Sequence, residues 1–307
     1  MRLKSTLAAL MVTVAAPVFA EGCDKITFSD VGWTDITATT AATTLVLDAL
    51  GYETDIKVLS VPVTYTGLAE GDIDVFLGNW MPTMEADIAP YRDAGKVDTV
   101  RTNLEGAKYT LATNEAGVAA GITDFAKIKD AKDALGGKIY GIEPGNDGNR
   151  LILDMIASGP FGLDGFDVVE SSEQGMLAEV ERAQKDGKPI VFLGWEPHPM
   201  NANYKMTYLT GGDDYFGPDF GGAIVATNTR GGYVAECPNT GKFLQNLSFT
   251  LAMENEIMGA ILNDSTDPGD AAKAWLSANP DVWKAWLDGV TTKDGGDAVA
   301  AVEAALK

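Results

Sequence analysis

Two strand-like runs that share one spelling constrain this chain more than anything else in it. Residues 75–82 read VFLGNWMP, and residues 191–199 read VFLGWEPHP. Each opens with the continuous apolar residues of a strand buried on both faces, the pattern of a parallel sheet. A glycine then marks a stop, and a tryptophan and a proline follow within a few residues. Ligands of open α/β sheets bind beyond the carboxyl ends of the strands, so an indole at that edge is well placed to meet one. Two such strands in separate parts of the chain predict two halves, with Trp80 and Trp195 facing each other across a cleft.

The remaining pattern agrees. Strands are expected over 25–29, 55–60, 73–77, 138–142, 167–170 and 189–193, and helices over 36–50, 62–70, 124–135, 148–158 and 173–185. Strands alternating with helices of this length imply βαβ units and largely parallel sheets. From Thr240 onward the pattern is mainly helical. Two β-rich stretches between these sets, 108–113 and 223–227, are expected to cross between halves. The layout is therefore domain one, domain two, domain one again: residues 21–110 and 213–307 form the first lobe, and 111–212 the second.

The first twenty residues read as an export leader. Arg2 and Lys4 supply a basic start, residues 7–14 an apolar stretch, and Val18-Phe19-Ala20 a small-residue cleavage site. Lipid attachment at Cys23 is disfavoured, because Glu21 puts a charge where such a motif wants small or apolar residues. The chain has two cysteines, Cys23 and Cys237, and exported proteins with two most often pair them. That bond would tie the N-terminus to a late segment, which the discontinuous first domain also requires. The formal net charge of −21 argues against nucleic acid and anionic membrane surfaces as partners, and would attract a small cation.

Several chemistries are missing. With one histidine, His198, a His-rich metal site cannot be built. Neither a Gly-x-Ser-x-Gly nucleophile elbow nor a phosphate-binding loop occurs, and no cofactor or metal is expected. What stands out instead is aromatic. Trp33 follows the first strand, Trp80 and Trp195 follow the twin strands, and Tyr109 lies at the first crossover. Each alone reads as packing; together they would converge on one cleft. Aromatic faces carry a negative quadrupole and apolar surface, which suits a quaternary ammonium that has no N–H to donate. Four desolvated cation–π contacts supply on the order of 4–8 kcal/mol, against about 8 kcal/mol for micromolar affinity. Asp35 is either the N-cap of the helix after it or a carboxylate aimed into the box, and both roles are compatible. In GIEPGNDGN, residues 141–149, Asn146 is either a turn-and-cap residue or a partner for a ligand hydroxyl. Asp147 would repel an anion at that turn. Trp275, Trp283 and Trp286, with Tyr204, Tyr208 and Tyr215, are read as structural.

Four segments in order, DVGWTD (30–35), NWMP (79–82), GIEPG (141–145) and GWEPH (194–198), give the mature chain a resemblance to the periplasmic choline/glycine-betaine-binding proteins of ABC transporters, and within that family to its choline binders. The resemblance implies an α/β, two-lobe periplasmic-binding-protein fold, type II-like, with two hinge crossover strands. It implies a trimethylammonium box of Trp33, Trp80, Tyr109 and Trp195, with the choline hydroxyl on Asp35 and Asn146, and a Cys23–Cys237 disulfide. It further implies a periplasmic monomer that serves a membrane ABC permease and catalyses nothing. Relatives that prefer glycine betaine lack the acid, so Asp35 and Asp147 favour choline. Glycine betaine, proline betaine or another methylated osmolyte is the alternative ligand, and an exported choline-ester hydrolase the alternative class.

Overall fold

A computed structural model describes residues 22–307; the leader and its cleavage site lie outside the described residues. Nine strands form one mixed sheet: β1 Lys25–Asp30, β2 Glu53–Val58, β3 Val75–Met81, β4 Val97–Asn114, β5 Lys138–Tyr140, β6 Asp167–Val169, β7 Val191–Glu196, β8 Met206–Tyr208 and β9 Gly222–Arg230. Their order is β2-β1-β3-β9-β4-β7-β5-β6, with β8 on β4. Within each flank the pairing is parallel, β1 with β2 and β3, and β5 with β6 and β7. These flanks are the expected βαβ units.

The middle is antiparallel. Both β-rich stretches expected to be crossovers lie there, in β4 and β9, which pair with each other. β4 is long enough to serve both flanks. Its earlier residues pair with β9 and its later ones with β7, and Lys108 stands opposite Gly222 on one side and Glu196 on the other. Helices Leu251–Leu262 and Pro268–Ala278 return to pack on helix Thr34–Ala49 beside the first flank. The Cys23–Cys237 disulfide, with its Cα atoms 5.5 Å apart, joins the start of β1 to the same late region. No helix among the described residues is long and apolar enough to cross a membrane.

The twin strands occupy equivalent places, β3 between β1 and β9, and β7 between β4 and β5. Each is covered on both faces, which is why each is a continuous apolar run. The expectation that Gly78 stops its strand is corrected: β3 continues to Met81 and carries Trp80 within it, as β7 carries Trp195. These glycines serve close approach. A Cβ on Gly78 would stand 2.7 Å from the Ile36 side chain, and one on Gly194 would stand 2.9 Å from Met206 Cε. β4 starts at Val97, well before the expected 108, and the helix expected over 124–135 divides into a 3-10 segment, Phe125–Ala131, and a short helix, Lys132–Leu135; the other boundaries move little.

Candidate functional site

Trp80 of β3, Tyr109 of β4 and Trp195 of β7 stand in a row at the seam between the flanks. Tyr109 and Trp195 are register partners across β4 and β7. The Tyr109 ring centroid lies 6.0 Å from that of Trp80 and 6.3 Å from that of Trp195. Trp33 joins them from the turn after β1, where it occupies the N-cap position of helix Thr34–Ala49. The four rings, with Asp35, Asn146, Ile142 and Asp147, line one small cavity. All six residues singled out from the sequence are thus brought together. None is more than 5 % exposed.

The polar edges of Trp33, Trp80 and Tyr109 are already hydrogen-bonded. Trp80 Nε1 donates to Asp35 Oδ2 at 3.1 Å. Trp33 Nε1 donates to both Glu143 oxygens at 3.0 Å, and the Tyr109 hydroxyl donates to Asn146 Oδ1 at 2.9 Å. What these rings can still offer a ligand is apolar π surface. Asp35 is not the N-cap of its helix. Trp33 takes that position, and the carboxylate, one residue into the first turn, turns toward Trp80. Asn146 is an N-cap as well as a lining residue: its Oδ1 accepts the Asn149 N–H at 3.1 Å.

The electrostatics are acidic and desolvated. Burial, with Glu173 adding to it, pushes Asp35 up to about 8. Burial likewise lifts Glu143 to about 7 and Asp147 to about 6. None of the lining residues is basic. Asp35 Oδ1 and Asp147 Oδ2 are buried without a hydrogen-bond partner, and buried acceptors in native proteins are rarely left so. A site made of ring faces, unmatched carboxylate oxygens and no nucleophile is built to hold a small cation with an apolar skin.

Gly148 is part of this geometry. A Cβ there would stand 2.0 Å from the Tyr109 hydroxyl oxygen and 2.7 Å from Cζ. Gly148→Ala is expected to push the phenol from Asn146 and weaken ligand binding severalfold to about tenfold, the order of one hydrogen bond plus misplaced packing. Titration calorimetry checks this, and Tyr109→Phe in the same background should remove part of the clash.

Reading the sequence alone missed two acids. Glu143 lies in the quoted GIEPG segment but was given no role; its nearness to Asn146 was the available signal. Glu173 had none, because its partner Thr34 is far away in sequence. His198, the one histidine of the chain, is buried and committed to Glu173 and the Met200 N–H. The other tryptophans pack elsewhere: Trp283 donates to Leu276 O and Trp286 to Ser248 O.

Residues 24–278 match the model of the substrate-binding domain of ABC-type glycine betaine transport systems. The chain belongs to that family of transport binding proteins. Among solved structures, an ABC-transporter choline-binding protein in complex with choline is 71 % identical; the match covers 94 % of this chain and 99 % of that one with a TM-score of 0.93. A choline-binding protein in an unliganded, semi-closed conformation, also 71 % identical, covers 93 % and 99 % and gives 0.86. The present fold therefore lies nearer the choline-bound shape, and it is the two-lobe α/β fold of these binding proteins. The glycine betaine/carnitine transport binding protein GbuC of Listeria monocytogenes serotype 1/2a (strain 10403S) is 30 % identical over 169 residues, a match spanning 55 % of each chain.

Proposed function

We propose that this chain is the exported binding component of an ABC transporter and that its ligand is choline. The observation that carries the reading is the pairing of four ring faces with the orphaned acceptor on Asp35. The trimethylammonium group would sit among Trp33, Trp80, Tyr109 and Trp195, and the hydroxyl would donate to Asp35 Oδ1, which has no other partner. Asn146 beside it would complete the hydroxyl's environment. The choline-bound relative at 71 % identity supports the same ligand.

In this reading residues 1–20 are removed on export, the monomer works in the periplasm, and the closed form is what the permease reads. Residues 21–110 with 213–307 form one lobe and 111–212 the other, a division supported by β4 changing partners at Lys108. No covalent step is asked of the site.

Glycine betaine is the second reading, favoured by the family's description and by the Listeria relative. The acids weigh against it. A betaine carboxylate would be buried near Asp35, Asp147 and Glu143 with no basic lining residue to receive it, and unpaired buried charge is costly. A thermal-shift panel of quaternary amines, sugars and amino acids decides. Choline at about a hundred times its Kd should raise Tm by roughly 5 °C or more, glycine betaine by less, and sugars and amino acids not at all. A larger shift with glycine betaine would favour the second reading. No shift with any quaternary amine would overturn both, and acid released from acetylcholine would point to a hydrolase.

A further inference from the structure

We infer that Glu173 locks the two lobes around the ligand: a positioning residue that touches no ligand but sets how long the closed form lasts. The inference rests on the binding reading above for its ligand probe, and on geometry of its own for the rest. Glu173 begins helix Glu173–Asp186, on the β7 side of the seam, and its side chain is wholly buried. Its partner is on the other side. Glu173 Oε2 accepts the Thr34 backbone N–H at 2.8 Å, and Oε1 accepts the Thr34 hydroxyl at 2.5 Å. Thr34 opens helix Thr34–Ala49, where a carboxylate also meets the positive end of the helix dipole.

The third partner fixes the carboxylate from its own side. His198 Nδ1 accepts the Met200 N–H at 2.9 Å, so the ring proton is on Nε2, which donates to Glu173 Oε1 at 3.1 Å. Every strong hydrogen bond Glu173 makes is thereby assigned, one set from each side.

The lock sits directly behind the box. Thr34 follows Trp33 in sequence, and the His198 ring centroid is 4.8 Å from that of Trp195. Closing the lobes takes Glu173 out of water and gives it two donors on Thr34. Parting them takes both donors away. A buried carboxylate that loses its partners is strongly destabilised, so intermediate openings are disfavoured and the pair acts as a catch. The Arg150–Asp87 ion pair bridges the same seam at 2.6 Å, but Arg150 is partly exposed, and solvent screens such pairs. Apparent affinity scales with the fraction of protein in the binding-competent state, which gives Glu173 a hold on binding from outside the cavity.

Stopped-flow tryptophan fluorescence with choline, on Glu173→Gln, Thr34→Val and the double variant, tests this. Glu173→Gln turns an amide N–H₂ toward a donor. It should speed choline release by roughly tenfold or more, the size of a lost charge-assisted hydrogen bond, with association nearly unchanged. Thr34→Val should speed release severalfold alone and add little in the double variant, because both remove one contact. A spin-label pair spanning the lobes should read longer distances in Glu173→Gln, with and without choline, while the melting temperature without choline stays near wild type. Wild-type release and distances in a folded Glu173→Gln protein, or additive effects in the double variant, would overturn the lock. If Glu173→Gln does not fold, Thr34→Val decides: unchanged release and distances overturn the inference. A wild type that ignores choline sinks the ligand reading instead, and the distances without choline still judge the lock.

Discussion

Trp195→Ala is expected to weaken choline binding by at least about tenfold while the protein still folds. Trp195 is 4 % exposed, stands opposite Tyr109 in register, and forms one wall of the cavity. A desolvated cation–π contact is worth about 2 kcal/mol, and each 1.4 kcal/mol is tenfold in Kd. Truncation also removes apolar surface that covers the ligand's methyl groups and opens a path for water, so the loss should exceed the electrostatic share alone. Trp195→Phe restores a face without the indole and should recover much of the affinity. An alanine variant with native Tm and unchanged choline affinity by calorimetry would take Trp195 out of the box.

Choline affinity is also expected to rise with pH, and Asp35 is the main reason. Burial first, and the Glu173 charge second, hold this carboxyl at about 8. At neutral pH it is mostly protonated unless a cation lies against it. An opposite charge within a few ångströms favours the ionised form, so binding lowers the pKa and releases a proton. The sign follows: the ligand prefers the deprotonated site, so affinity falls as pH drops below about 8 and levels off above it. A single coupled proton limits the slope to about tenfold per pH unit. Glu143 and Asp147, raised to about 7 and about 6 by burial, act in the same direction at lower pH. Asp35→Asn should weaken choline by roughly ten- to a hundredfold at pH 8, the range of a charge-assisted hydrogen bond plus a nearby charge. It should also flatten the profile between pH 7 and 8 and narrow the preference for choline over glycine betaine. Calorimetry in buffers of different ionisation enthalpy counts the protons. No release by the wild type, with a flat profile, would show that Asp35 is not coupled to the cation.

The sequence made the box legible because its walls are attached to strongly patterned elements. The twin apolar strands put Trp80 and Trp195 in equivalent places without any tertiary information, and the break between the strand–helix sets located Tyr109 at the seam. The meaning of Gly78 was not legible. A glycine in a strand is ambiguous between a stop and a close approach until the Ile36 side chain above it is seen. Asp35 had the local grammar of an N-cap, and the Trp80 indole, which comes from another strand, pulled it into the site instead. Glu173 was invisible for a similar reason. Its position at the start of a helix explains it fully in local terms, and only the meeting of two distant segments gives it a second role.

The central claim is that a quaternary ammonium lies among rings drawn from both halves of the sheet, with its hydroxyl on Asp35. A crystal structure of the choline complex tests it most directly. The account predicts the nitrogen within about 6 Å of the centroids of Trp33, Trp80, Tyr109 and Trp195, and the hydroxyl oxygen about 2.5–3.0 Å from Asp35 Oδ1. Choline bound outside this cavity, or seated with its hydroxyl turned away from Asp35, would contradict it.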